Sequence, residues 1–262
     1  MKKLLSIALC AAVVSAFAES TEVELGEVGV TAITTSLSNA IVAVSYDDLA
    51  DDKGGMVYSN LVKTTNLTVN DKLIQFSYDE SGAGKYTSWV LKEGTTSGGA
   101  KYKYWEGQPE AYKDDSGSDQ LKISPAPDTV RGAVGSGIWL VRQNPIDVNG
   151  STNSFYIYGK PAANTTSATV AGKWTLIGNP TQRTVQITAD LFGSSELTEG
   201  DEIVVPLPPS GNLSRYTYSA QRRIWRTTDA DGKWVNTPPA LDAGLGCWIR
   251  TEKPASINWI SE

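Results

Sequence analysis

Asp71 and Asp201 stand at matching points of the sequence, each shortly before an apolar run, Leu73-Ile74 and Ile203-Val204-Val205. A carboxylate pair serves glycoside hydrolysis when both groups reach one cleft, about 5–9.5 Å apart. No second carboxylate recurs beside them, and they follow Asn70 and Gly200. There an aspartate closes an Asx-type turn with its own side chain, so a structural turn is expected in both copies. Asp229-Ala230-Asp231-Gly232 has the look of part of a calcium loop. With the two aspartates at the third and fifth places, however, Pro238 falls where the twelfth-place Glu belongs. A polar hairpin turn between Trp225 and Trp234 is the expectation. The clusters Asp47-Asp48 with Asp51-Asp52, and Asp114-Asp115 with Asp119, read as solvated loop acids. No metal ligand and no cofactor are expected.

Other chemistries fall away on residue types alone. The 262 residues include no histidine, which removes Ser-His-Asp and Cys-His machinery and any imidazole base. Gly135-Ser136-Gly137 and Gly244-Leu245-Gly246 lack the third glycine and the following helix of a dinucleotide site. They are read as places where another backbone or a bulky ring packs closely on a strand, with Trp139 and Trp248 as packing residues. Cys247 alternates with Leu245 and Ile249, so a buried, inert thiol is expected. No catalytic residue is assigned.

The aromatic residues carry the binding reading. Tyr102, Tyr104 and Trp105 form one group, and Tyr216, Tyr218, Arg223 and Trp225 another. Flat rings stack on the apolar faces of sugars while Arg or Lys bonds hydroxyls or carboxylates. Tyr216, Tyr218 and Trp225 would share one outer sheet face if their strands pair. The competing reading puts part of each group in a core, as on any two-faced strand.

The elements that position these residues are strands. Candidate strands are Ile41–Tyr46, Thr68–Ser77, Tyr86–Leu91, Ile138–Arg142, Phe155–Tyr158, Trp174–Ile177, Thr184–Ile187, Asp201–Leu207, Ser214–Ser219 and Trp248–Thr251. Turn signals such as Asn149-Gly150, Gly178-Asn179-Pro180 and Asp231-Gly232 separate them. Ala189–Phe192 offers a helical turn at most. The chain also repeats itself. Residues 60–87 align without gaps to 190–217, matching Leu67, Thr68 and Asp71 to Leu197, Thr198 and Asp201, and Lys85-Tyr86-Thr87 to Arg215-Tyr216-Thr217. Residues 135–140 match 244–249 at the smaller offset of 109. The extra residues of the first copy are assigned to loops at Gly94–Lys101 and Glu110–Gln120, and Lys160–Gly172 to a connector. The expected fold class is all-β, with two related antiparallel β-sandwich or barrel-like units in tandem, at 25–162 and 170–262.

Residues 1–18 read as an export signal, with Lys2 and Lys3, an apolar run from Leu4 to Val14, and Ala16-Phe17-Ala18 as the cleavage site. Cleavage there leaves 244 residues, one cysteine, and a net charge of −8 in place of −6. An acidic chain without a basic cluster speaks against nucleic acid, and no membrane span is expected after cleavage.

The second unit runs Trp174-Thr175-Leu176-Ile177-Gly178-Asn179-Pro180, then Leu197-Thr198-Glu199-Gly200-Asp201-Glu202-Ile203, then Gly244-Leu245-Gly246-Cys247-Trp248. This order resembles a β-repeat of exported, mostly uncharacterised proteins of planctomycete, verrucomicrobial and lentisphaeral bacteria. The first unit departs from it, with Ile41–Ser45 in place of the first block. The resemblance implies an exported β-domain and brings no catalytic residues. The favoured expectation is a non-enzymatic structural or surface- and envelope-associated protein, with polysaccharide or other envelope proteins as partners. A carbohydrate-binding protein using the Tyr/Trp/Arg face is the alternative, and a carboxylate-based glycan-active enzyme the second alternative.

Overall fold

A computed structural model describes residues 29–34, 36–47, 56–57, 67–113, 119–123, 130–144, 154–161, 164–193, 197–207 and 212–260. The export-signal segment and Asn149-Gly150 lie outside them. Runs rich in Val, Ile, Trp and Tyr, closed by Gly, Asn and Asp, form strands linked by tight turns. Among the described residues the fold is all-β and antiparallel, with a 3₁₀ turn at Ala189–Phe192.

Two large sheets dominate. The first orders its strands Asn39–Ala43, Gly137–Val141, Lys72–Tyr78, Gly84–Thr95 and Lys101–Gly107. The second orders Trp174–Gly178, Gly246–Arg250, Glu202–Leu207, Asn212–Ser219, Ile224–Thr228 and Trp234–Asn236. The first five places correspond strand for strand. The small sheets repeat too. Gly29–Thr34 pairs with Ser154–Pro161 as Asn164–Ala168 pairs with Ser256–Ile260. Met56–Val57 pairs with Arg131–Gly132 as Val185–Gln186 pairs with Ala240–Leu241. Each unit has its own core under one face of its large sheet. Leu73, Trp89, Leu91, Trp105, Ile138 and Leu140 fill the first; Ile203, Tyr218, Trp225, Cys247, Ile249 and Trp259 fill the second.

Three readings of the sequence change. Asn70 N–H bonds the Leu91 carbonyl, and Gly200 N–H bonds that of Tyr218, so Leu91 corresponds to Tyr218. The gapless match therefore slips by three residues after Asp71, and Lys85-Tyr86-Thr87 does not overlie Arg215-Tyr216-Thr217. The slip arises in a longer first-unit hairpin, closed at Asp79–Ala83. Second, the tracts read as loops are hairpins: Gly84–Thr95 runs through Gly94, and Pro109–Lys113 pairs with Asp119–Ile123. Third, the tract Lys160–Gly172 contains a strand of the second unit, Asn164–Ala168. Its Asn, Thr and Ser content imitates a linker.

The units meet back to back across an approximate two-fold relation. Val42 bridges Leu245, and Ile177, its counterpart, bridges Ser136. Ala43 N–H bonds the Gly244 carbonyl at 2.8 Å, and Gly178 N–H bonds that of Gly135 at 2.9 Å. Gly135 and Gly244 hold φ of 86° and 73°, which a side chain resists. Each also lies against the first strand of the opposite unit. A Cβ on Gly135 would meet Ser167 Oγ at 2.6 Å, and one on Gly244 would meet Ile33 at 2.8 Å. Nearest the axis, a Cβ on Gly178 would sit 2.4 Å from Ala43, and one on Gly246 2.3 Å from the Ile177 carbonyl oxygen. The outer faces of both large sheets are thus covered along the seam, where Ile41, Leu176 and Val204 are buried.

Gly178→Ala and Gly246→Ala should each cost about 1–3 kcal/mol, because the added methyl meets backbone atoms that cannot swing aside. Gly98→Ala, whose methyl would meet nothing nearer than 3.9 Å, should stay within about 0.5 kcal/mol of the parent. Chemical denaturation of the three variants measures this contrast.

Candidate functional site

The two aspartates are pins of the fold. Asp71 is 1% exposed and Asp201 3%. Asp71 accepts from the Thr68 N–H at 2.8 Å, the Thr68 hydroxyl at 3.0 Å and the Gln143 N–H at 2.7 Å. Asp201 accepts from Thr198 N–H, the Thr198 hydroxyl and Glu252 N–H at 2.8, 2.9 and 2.8 Å. The turns run through Asn70 at φ 75° and Gly200 at φ 93°. Each carboxylate thereby ties the start of one strand to the end of its neighbour. Arg142 is buried near Asp71, and burial lowers its pKa, partly offset by the carboxylate charge. Asp71 and Asp201 lie in separate turns, buried and bonded to backbone, and do not form a pair over a cleft.

Asp229-Ala230-Asp231-Gly232 is a hairpin turn, as expected: Asp229 Oδ1 accepts from Asp231 N–H and Lys233 N–H, and Gly232 takes φ 75°. Asp79–Ala83 and Thr96–Ala100 close in the same way, with Gly82 and Gly99 in the left-handed region. Among the described residues no group of three or more Cys, Asp or Glu side chains is placed to hold a metal ion. Of the acidic clusters, Asp48, Asp51, Asp52, Asp114 and Asp115 lie outside those residues. Cys247 is wholly buried in the second core, and burial raises its pKa.

The aromatic ridge divides. Asn212–Ser219 does pair with Ile224–Thr228, and Tyr218 stands opposite Trp225. Their shared face, however, is the core face. Tyr218 is 4% exposed and Trp225 1%, with ring centroids 5.2 Å apart and Phe192 at 6.2 Å from Trp225. Tyr216, on the same face, is half-buried against that core. Trp105 is the first-unit counterpart of Trp225 and is buried too. Arg223 sits exposed in the turn between the two strands at φ 55°. Alternation told these residues apart into two faces; only the layer beneath decides which face is covered.

Tyr102 and Tyr104 point the other way. They are 49% and 39% exposed on the outer face of the edge strand Lys101–Gly107, with ring centroids 5.7 Å apart and planes tilted by 36°. A second aromatic group went unnoticed in the sequence because its members lie in both units. Phe76 stands 5.0 Å from the rings of Tyr78, Tyr86 and Trp248. Tyr78 donates its hydroxyl to the Trp174 carbonyl at 2.7 Å, and Lys173 Nζ lies 4.4 Å from its ring. Partial burial raises the Tyr78 pKa although that bond to the backbone acts against it. This group closes the seam and is part of the packing between units.

The fold and these surfaces describe an all-β pseudo-dimer whose recurring polar residues are structural. No protein-family model matches the chain, and neither does any curated protein or solved structure.

Removing either carboxylate strands buried N–H donors. Asp71→Ala and Asp201→Ala should each lose about 2–4 kcal/mol, and the double variant close to the sum, since the two turns share no partner. Equilibrium unfolding reads both. Cys247 should stay unmodified by a thiol reagent in the native protein at neutral pH and react at the rate of global unfolding, since burial suppresses the thiolate. Labelling across a denaturant series checks it.

Proposed function

We propose that the chain is a non-enzymatic, exported protein that serves as a structural or surface- and envelope-associated component. One observation carries this reading: both recurring carboxylates are buried and bonded to backbone donors of their own unit. A catalytic acid or base needs a free lone pair or proton facing substrate, and these have neither. The buried thiol is in the same position. Such a protein relies on its two hydrophobic cores for stability, since a single cysteine remains after residues 1–18 are removed. Kinship with the exported β-repeat proteins of planctomycete, verrucomicrobial and lentisphaeral bacteria accords with this reading and is part of it.

In a bacterial host the protein should be recovered outside the cytoplasm with Glu19 as its first residue, by fractionation and N-terminal mass analysis. It should release no reducing ends from xylan, mixed-linkage β-glucan or polygalacturonate. Cytoplasmic retention with residues 1–18 intact sinks the export reading. Turnover that Asp71→Asn or Asp201→Asn abolishes in a folded protein sinks the non-enzymatic one.

A further inference from the structure

We propose that the outer face of strand Lys101–Gly107 is a binding platform for an uncharged polysaccharide, formed by Tyr102 and Tyr104. The argument starts from Gly94, which pairs directly with Tyr102. A Cβ there would fall 2.6 Å from Tyr102 Cζ and 2.7 Å from its hydroxyl oxygen. The phenol ring therefore lies down across the bare backbone of the neighbouring strand. Tyr102 stays 49% exposed, so the side of the ring turned away from the sheet is open to solvent. Tyr104 lies beside it, pairing with Lys92, so the two rings form one shallow, tilted surface. A ring lying flat has an open face for stacking; an upright ring offers its edge.

The charges beside the rings set the kind of ligand. Lys92 and Glu106 stand on the same sheet face and flank Tyr104, with Nζ and carboxylate 3.9 Å apart. They largely cancel, and both remain part-exposed, at 38% and 50%. Side chains so paired still offer donors and acceptors to hydroxyl groups, but give little attraction to a charged polymer. A flat apolar face rimmed by hydroxyls describes a pyranose, and a row of two such rings suits a chain of them. An extended peptide would instead use the free edge of the strand, which this face does not require.

The platform is absent from the second unit. Trp105 corresponds to Trp225, which sets Ile224 at the place of Tyr104, and the second-unit hairpin turns at 220–223 before it reaches any place equivalent to Tyr102. Elements the fold depends on recur in both units, as the Thr-x-x-Asp turns, the left-handed seam glycines Gly135 and Gly244, and the buried pair Trp105 and Trp225 do. The exposed tyrosine pair does not recur, and among the described residues neither ring belongs to a core cluster.

Affinity electrophoresis of the full chain through native gels holding mixed-linkage β-glucan, xylan or polygalacturonate tests this. Retardation by β-glucan or xylan is expected. Tyr102→Ala and Tyr104→Ala should each weaken it by roughly tenfold or more, while Tyr102→Phe retains it. Gly94→Ala should weaken it as well, by lifting the ring, and Leu213→Ala, at an exposed apolar position of the second unit, should leave it unchanged. Unaltered thermal melts keep loss of binding separate from loss of fold. No retardation by either neutral glycan overturns the proposal, as does retardation that survives both alanine variants. Preference for polygalacturonate, or a glycan-free dimer that Tyr102→Ala dissolves, overturns it in favour of an acidic ligand or self-association.

Discussion

The close backbone approach at the seam governs everything else in this molecule. Ala43 and Gly178 meet with no room for a further methyl, and each donates a main-chain hydrogen bond to a glycine carbonyl of the opposite unit. Those carbonyls can face across because Gly135 and Gly244 occupy the left-handed region. Backbone groups at the seam are thereby satisfied although water is excluded, which is the condition for burying them. Tyr46 adds a side-chain link, accepting from Gln182 of the opposite unit at 2.9 Å. With the sheets pinned together there, their outer faces are covered near the axis and open only at the far strands. The seam thus decides which residues can meet a ligand at all.

The same logic separates structural carboxylates from chemical ones. Thr-x-x-Asp recurs with nearly identical distances in both units, and in each the carboxylate reaches the backbone of the strand next door, at Gln143 or Glu252. Charge-assisted bonds to several N–H groups hold such a carboxylate in one orientation, with its oxygens turned to the backbone. Recurrence in two units that face different surroundings is what a folding device shows. A catalytic pair would instead be made once, where two elements converge on a cleft.

Much of this was legible in the sequence. The repeat, the strand class, the turn at Asp229–Gly232 and the buried thiol could all be read from spacing and residue type. The hairpin slip could not, because Lys85-Tyr86-Thr87 and Arg215-Tyr216-Thr217 match by composition while the hydrogen bonds join Leu91 to Tyr218's place. Strands Asn164–Ala168 and Gly29–Thr34 escaped for a different reason. They pack through small or β-branched side chains such as Ser167, Thr31 and Ile33 against the opposite unit's glycines. Neither stretch carries a long apolar run. The ridge failed on a third count: alternation defines two faces per strand, but the tertiary layer that hides one of them is set far away in the chain. Tyr218 and Trp225 fell on the hidden face, Tyr102 and Tyr104 on the open one.

The two large sheets end differently, and this difference follows from their extra residues. In the second sheet the strand Trp234–Asn236 continues beyond Ile224–Thr228, and Arg226 lies 4.8 Å over the Trp234 ring while bonding Glu199 at 3.2 Å. Its outer face carries this Arg226–Glu199 pair, with the Trp234 ring beneath the guanidinium. In the first sheet no strand among the described residues pairs onto the outer edge of Lys101–Gly107, and the hairpin grows in length instead, carrying Gly94 and the two tyrosines past the end of the core. Lys101 and Glu93 pair on the reverse side of this extension at 2.7 Å, both in contact with water. Apolar area placed so far from either core contributes little to folding, and leaving it exposed has a cost in solubility. A duplicated scaffold can bear that cost in one copy because the other already supplies the seam, the pins and the second core.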